Sequence, residues 1–95
     1  MSVYVDELRN VHCKPNWPYS RACHMFADTA AELHEMAGLI GQSRSWFQSR
    51  PDFPHYDLTA HKRQQAIARG AVAVDRERMR AFVERRRERR KKRAS

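Results

Sequence analysis

The chain ends in a run of residues that cannot contribute to a hydrophobic core. From Glu84 to Arg93 no side chain is apolar; eight of these residues are basic and two are acidic. The core must therefore come from the first 83 residues, and a chain this short buries only about 60% of its unfolded surface. We predict one compact α/β domain over 1–83 and a basic tail over 84–95, either a solvated helix or disordered.

The positive charge is concentrated in the same run. The formal net charge is +8, of which residues 84–93 carry +6. Clustered cations release counterions from a nucleic-acid backbone, which gives salt-dependent and sequence-independent affinity. We expect DNA or RNA as the partner; a solubilising tail and a tail that binds an acidic surface are the alternatives. The residues expected to contact nucleic acid are Arg85, Arg86, Arg87, Arg89, Arg90, Lys91, Lys92 and Arg93.

The pattern gives no sign of export or of membrane insertion. The first residues include Asp6 and Glu7 and no apolar stretch of signal-peptide length. No run approaches the roughly 20 apolar residues that cross a bilayer. With Cys13 and Cys23 as its only cysteines, the chain is expected to hold free thiols in the cytoplasm and to have no membrane partner.

Alternating apolar and polar residues predict strands over 3–5 and 22–27, separated by a proline-containing loop over 12–21. A capping box that begins at Thr29 starts the first helix, and Gly41 ends it. The next predicted elements are a helical turn over 43–48, a loop over 50–54, a strand over 55–58, a helix over 60–69 and a strand over 71–74.

The third predicted helix begins at Asp75 and carries an apolar stripe of Met79, Phe82 and Val83. Strand, helix and strand over 55–74 have the form of a βαβ unit, which joins parallel strands. We therefore predict an α/β fold: a small single domain with a short, mostly parallel sheet, three helices and a basic C-terminal extension. If the stripe is exposed, it provides a surface for a homo-oligomer or a host protein.

A set of short motifs occurs in a defined order over residues 3–75. They are Tyr4-Val5-Asp6, His24, Ala27-Asp28-Thr29, Glu32-Leu33-His34, Ile40-Gly41, Trp46-Phe47-Gln48, His55-Tyr56-Asp57, Lys62-Arg63 and Gly70-Ala71. Together they resemble the short bacterial and phage proteins grouped as "domain of unknown function 4031". The resemblance implies an intracellular, phage-encoded or bacterial origin and supplies no catalytic residue, and the basic tail lies outside it.

The start of the second helix has the composition of an anion site. Thr59 is its predicted N-cap, and Lys62 and Arg63 lie in the first turn. Free backbone amides with two cations form a phosphate-binding arrangement. The alternative is that both side chains extend into water or pair with Asp57 or Asp28.

Carboxylates and imidazoles lie at or near the ends of several predicted strands, where α/β sheets place their ligands. The catalytic candidates are Asp6, His24, His55 and Asp57. Candidate ligands for a divalent metal (Mg²⁺, Mn²⁺ or Zn²⁺) are Asp6, His24, Asp28, His34 and His55. Such a set can hold a metal that activates water against a phosphoryl group. Alternatively, Asp28 only caps the first helix, Asp57 only fixes the turn before the second helix, and His34 flanks the core.

Two further groups favour structural interpretations. His12, Cys13, Cys23 and His24 provide zinc-type ligands, but adjacent side chains on a strand point to opposite faces. Trp46, Phe47, Phe53 and Tyr56 can stack on bases, but a core this small favours packing.

The leading hypothesis is a small nucleic-acid-associated binding protein. A metal-dependent phosphohydrolase or nuclease is the first alternative, and a protein-interaction module or homodimer is the second.

Overall fold

The fold is built on a six-stranded sheet with helices on both faces. The structure is a computed structural model that describes residues 2–94. Its strands are β1 (Val3–Val5), β2 (Arg9–Asn10), β3 (Arg21–Ala27), β4 (Phe47–Arg50), β5 (Phe53–Leu58) and β6 (Val72–Ala73). Its α-helices are α1 (Ala30–Leu39), α2 (Ala60–Ala68) and α3 (Arg76–Ala94), and a 3₁₀ helix covers Arg44–Trp46.

The sheet is mostly antiparallel, so the prediction of a mostly parallel sheet was wrong, whereas the α/β class was correct. The strand order is β4-β5-β3-β1-β6, with β2 paired to β3. Within residues 2–94, only the β1–β6 pair is parallel, with Tyr4 opposite Val72. The pairs β1–β3, β2–β3, β3–β5 and β4–β5 are antiparallel.

The error arose at the predicted βαβ unit. The two strands that flank α2 do run in the same direction, as expected for such a crossover. They are not neighbours, however, because β3 and β1 lie between them. A helical connection therefore fixed the direction of β5 and β6 but not their pairing.

The helix starts follow the capping chemistry of the sequence. Thr29 accepts a hydrogen bond from the Glu32 amide at the start of α1, and Thr59 accepts one from the Lys62 amide at the start of α2. Gly41 follows α1 with a φ of 72°, a left-handed conformation that other residues adopt only with strain.

One face of the sheet carries the main hydrophobic core. Side chains that alternate along β1, β3 and β5 point to this face, where α1 and α2 cover them. The core residues from these strands are Val3, Val5, Cys23, Met25, Ala27, Tyr56 and Leu58. Leu33, Met36 and Ala37 of α1 complete the packing.

The opposite face of the sheet carries a smaller apolar cluster, and α3 covers part of this face. The Phe82 ring lies 4.9 Å from Phe26 and 5.8 Å from Tyr4, measured between ring centroids. Met79 and Val83 are half-buried beside it. The apolar stripe predicted from these three helix residues therefore packs within the chain. Apart from Phe53, which packs on Phe26, the rest of this second face is mostly polar.

The β4–β5 hairpin was not predicted. The turn contains only Pro51 and Asp52, and Arg50 pairs with Phe53. The two prolines of the hairpin favoured a loop over 50–54, but Pro54 lies inside β5. The predicted helical turn over 43–48 is shorter than expected, because the 3₁₀ helix ends at Trp46. β2 was also missed, since two residues are too few to show a periodicity.

Helix α3 continues without interruption from Arg76 through the basic run to Ala94. Among residues 2–94, no helix combines the length and apolar character that crossing a bilayer demands.

Candidate functional site

The polar part of the second sheet face forms an open cleft beside α3. Strands β2, β3, β4 and β5 provide its floor, and the β4–β5 turn and α3 form one wall. The lining residues are Arg9, His24, Gln48, Arg50, Pro51, Asp52, Phe53, His55, Asp57, Val83 and Arg87. We call this the second-face cleft. Three of the four predicted catalytic residues line it, and the fourth, Asp6, bonds one of them.

Asp6 and His24 are held together where β1 ends beside β3. The Asp6 carboxylate is buried, and it accepts hydrogen bonds from the His24 amide at 2.6 Å and from His24 Nδ1 at 2.7 Å. The Asp6 amide in turn donates to the His24 carbonyl. Arg63 Nε donates to the Asp6 carbonyl at 2.8 Å. The His24 ring is thus fixed in one orientation by a carboxylate.

His55 is nearly buried in β5 and is also fixed through Nδ1. The Phe53 carbonyl lies 2.7 Å from this nitrogen, and the two rings stack with centroids 4.6 Å apart. Because a carbonyl oxygen only accepts hydrogen bonds, Nδ1 of His55 carries the proton. The His24 ring meets the His55 ring edge to face at 5.0 Å.

Asp57 completes the cluster from the same strand. Its Oδ1 lies 3.6 Å from His55 Nε2, and its Oδ2 accepts a hydrogen bond from Gln48. Burial acts to raise the pKa of Asp57, but its contact with His55, the nearby His24 and the Gln48 amide together lower that pKa below its ordinary value. Asp57 is therefore a carboxylate at neutral pH.

Arginines surround this cluster. Arg9 NH1 lies 3.3 Å from His24 Nδ1, and Arg50 and Arg87 line the cleft nearer the hairpin turn. Asp52 forms ion pairs with Arg87 and Arg90 of α3, and these two arginines lower the pKa of Asp52. The Pro51 carbonyl accepts from Arg86. These contacts attach the basic half of α3 to the hairpin.

Two candidate metal ligands lie elsewhere. Asp28 accepts hydrogen bonds from the Ser2 amide at 2.8 Å and the Tyr4 hydroxyl at 3.0 Å, at the end of the β1–β3 pair. His34 lies on the first face, where Nδ1 is 2.8 Å from the Tyr56 hydroxyl and the ring packs on Phe47. Neither residue belongs to the cluster that His24 forms with His55 and Asp57, so a metal ligand role for Asp28 or His34 stays a prediction.

The side chains of the predicted anion site at the start of α2 form hydrogen bonds within the chain. The Thr59 hydroxyl accepts from the Lys62 amide. Lys62 Nζ donates to the Ile40 carbonyl at the end of α1, and Arg63 donates to the Asp6 carbonyl. Each of the two cations thus connects α2 to another element, and the phosphate site at this helix stays a prediction.

The four zinc-type ligands of the sequence do not converge. Cys23 is completely buried in the first-face core, whereas His24 points to the second face. Burial is the main cause that raises the pKa of the Cys23 thiol, to about 12, so it is not a thiolate at neutral pH. Cys13 is exposed in the loop before β3. The quartet is therefore ruled out as a single zinc site.

The aromatic residues divide between packing and exposure. Tyr56 is fully buried and Phe47 and Phe53 are half-buried, so the packing interpretation is correct for these three. Trp46 is 41% exposed and meets Trp17 edge to face at 6.0 Å, beside the proline-containing loop.

The remaining arginines of α3 form a second surface. Arg78, Arg85, Arg89 and Arg93 lie at intervals of seven, four and four residues, so they share one side of the helix. We call them the arginine stripe. Arg78, Arg85 and Arg89 line a small pocket together with Phe82, Tyr4 and Asp28. No side chain of the stripe has a hydrogen bond or ion pair within residues 2–94.

Sequence reasoning missed Arg9 and Gln48 as members of the cleft. Both belong to unpredicted strands: Arg9 is in β2, and Gln48 in β4 lies opposite His55. Recognising a hairpin with Pro51-Asp52 as its turn would have placed Gln48 beside the cluster.

The comparison with protein families identifies the chain. The family model described as "Protein of unknown function (DUF4031)" matches residues 3–87 of the 95. The chain belongs to the DUF4031 family. No curated protein and no solved structure matches it significantly.

The DUF4031 match extends beyond the stretch in which the motifs occur. It continues through the first half of α3 to Arg87, which lines the second-face cleft and pairs with Asp52. The expectation that the entire basic tail lies outside the family was therefore wrong for residues 84–87.

Proposed function

We propose that this protein binds nucleic acid, DNA or RNA, through the arginine stripe of α3. The single observation that carries the proposal is that the stripe is unpaired within the described chain, whereas Arg87 and Arg90 on another side of the same helix are paired with Asp52.

The distribution of charge supports this proposal. Helix α3 contains eleven basic and three acidic residues and so carries the entire net charge of +8. Residues 1–75 contain eight basic and eight acidic residues and are neutral. A neutral body with one strongly cationic helix attracts polyanions to that helix specifically.

The attachment of α3 to the hairpin also favours binding. A disordered basic tail loses conformational freedom when it binds, and this loss weakens the complex. The contacts of Arg86, Arg87 and Arg90 with the β4–β5 turn hold the helix in place before any partner arrives. The stripe is therefore preorganised.

Fluorescence anisotropy with labelled DNA and RNA oligonucleotides, titrated at several salt concentrations, tests the proposal. Replacing Arg85, Arg89 and Arg93 together by glutamine removes three phosphate contacts and keeps good helix formers. Each contact adds about 0.9 to the slope of log affinity against log salt. We expect the slope to fall by about 3.

The matched control replaces three exposed arginines of the body, Arg21, Arg44 and Arg69, by glutamine. Both triple variants lose the same formal charge, so only the position differs. The control should keep most of the wild-type slope. Equal loss in the two variants, or wild-type binding that does not respond to salt, overturns the proposal.

A further inference from the structure

The cluster in the second-face cleft contains an electrostatic conflict. The proton of the neutral His55 ring is on Nδ1, which donates to the Phe53 carbonyl. In this neutral form Nε2 presents a lone pair to the carboxylate oxygen of Asp57 at 3.6 Å, whereas in the charged form, which lowers the pKa of Asp57, Nε2 carries a proton. Two acceptors that face each other repel unless a cation, either a proton or a metal ion, lies between them.

His24 provides a third ligand. One ligand atom each from His24, His55 and Asp57 can be chosen so that all three lie within 4.8 Å of one another. The bond to the Asp6 carboxylate occupies Nδ1 of His24, as the Phe53 carbonyl occupies that of His55. Metal-binding histidines characteristically donate their second ring nitrogen to a carboxylate or a carbonyl in this way.

The distances and the donor types indicate the class of ion. A tetrahedral zinc ion at about 2.0–2.1 Å from each ligand sets the ligand atoms about 3.3 Å apart. The distance between His55 Nε2 and Asp57 Oδ1 is already close to this value. The ligand atom of His24 lies within 4.8 Å of both, so a small shift of the His24 ring that keeps its bond to Asp6 brings this atom into the same range. Two imidazoles with one carboxylate suit a transition-metal ion, whereas Mg²⁺ and Ca²⁺ prefer oxygen ligands.

We propose that His24, His55 and Asp57 bind a divalent transition-metal ion of the zinc class, and that Asp6 and the Phe53 carbonyl orient the two imidazoles. This site is independent of the nucleic-acid surface. It leaves at least one coordination position for water or an anionic ligand, on the side of the cleft lined by Arg9, Arg50 and Arg87.

Isothermal titration calorimetry of chelator-treated full-length protein with Zn²⁺, Mn²⁺ and Mg²⁺ tests the site. We expect one Zn²⁺ per chain and much weaker binding of Mg²⁺. Asp57→Asn and His24→Gln should each weaken Zn²⁺ binding at least tenfold. Asp6→Asn should weaken it about 10–100-fold, because Asp6 acts through the orientation of His24.

His61→Gln and Cys13→Ser are the matched controls, since both residues are exposed and outside the cluster. Each should leave the affinity unchanged. Circular dichroism establishes that each variant is folded, and Co²⁺ absorption reports the ligand set directly. Zn²⁺ binding that follows Cys13 rather than Asp57, or a folded protein in which Nε2 of His55 stays protonated and added Zn²⁺ does not bind, overturns the proposal.

Discussion

His34 is a half-buried imidazole whose surroundings favour the neutral form. It lies against Phe47, and its Nδ1 meets the Tyr56 hydroxyl at 2.8 Å. Desolvation by burial, followed by the nearby Arg44 charge, lowers the pKa of His34 below its ordinary value of 6.5. The buried Tyr56 hydroxyl can thus donate to it at neutral pH.

This shift makes stability depend on pH below about 6.5. Between the ordinary pKa and the lower folded pKa of His34, the unfolded chain takes up a proton that the folded chain does not. The free energy of unfolding should therefore decrease as the pH falls through this window, and His34→Gln should flatten the decrease. Urea unfolding between pH 7.5 and 5.5 measures it.

His61→Gln is the control for this measurement, because His61 is exposed. It should keep the wild-type pH dependence. The lowered pKa of Asp57 affects the free energy of unfolding in a separate pH range. The stability that it provides is lost only as the pH falls below about 3.8. If the free energy of unfolding of His34→Gln decreases with falling pH as steeply as that of the wild type, His34 is not the cause of the pH dependence.

At the scale of single residues, the sequence predicted the chemical type of the site residues better than it predicted their positions in the fold. His24, His55 and Asp57 were predicted as reactive candidates and share one cleft, whereas Asp28 and His34 were grouped with the metal ligands and do not. The type of a side chain is visible in sequence. Which face of which strand it occupies depends on pairing partners many residues away.

At the scale of elements, the predictable features were those with local causes. Thr29, Thr59 and the glycines mark the helix ends, and both N-caps are present. The β4–β5 hairpin has no such signal, because its prolines oppose the strand prediction and cross-strand packing stabilises it. Tertiary contacts therefore decided the element on which part of the site depends.

Phe82 provides the main apolar contact of α3 with the sheet. The Phe82→Ala variant loses the ring contacts with Phe26 and Tyr4. For a half-buried ring we expect a loss of about 2 kcal/mol in the free energy of unfolding, or about 10 °C in Tm. Differential scanning calorimetry measures this change.

Leu39→Ala is the matched control, since Leu39 is an apolar helix residue that is 49% exposed. Its effect should stay within about 0.5 kcal/mol. If Phe82→Ala costs no more than this control, α3 is not held to the sheet by its apolar stripe.

At the scale of the whole molecule, the two proposed sites use different parts of one helix and sheet. The arginine stripe lies on α3 near Tyr4 and Asp28, and the metal cluster lies nearer the hairpin. Because the two sites lie apart, a substitution in one site should leave binding at the other site unchanged. The triple arginine variant should keep Zn²⁺ affinity within about twofold, and Asp57→Asn should retain the salt slope of nucleic-acid binding.

Calorimetry and anisotropy on the same two variants check this independence. Loss of both activities in both variants would show that the metal and the nucleic acid occupy one combined site. A variant that has simply unfolded is recognised by its circular dichroism and does not count as such a loss.

The position of β1 in the sheet has a consequence for synthesis of the chain. Val5 pairs with Met25 on one side and with Ala73 on the other. Strand β1, the first strand of this sheet in chain order, is thus flanked on one side by β6, which is the last. The sheet cannot close until translation has passed residue 73, and long-range pairing of this kind is slow. Until then, one edge of β1 is open to pairing with other nascent chains, and a slower or faster ribosome should change the yield of correctly folded protein.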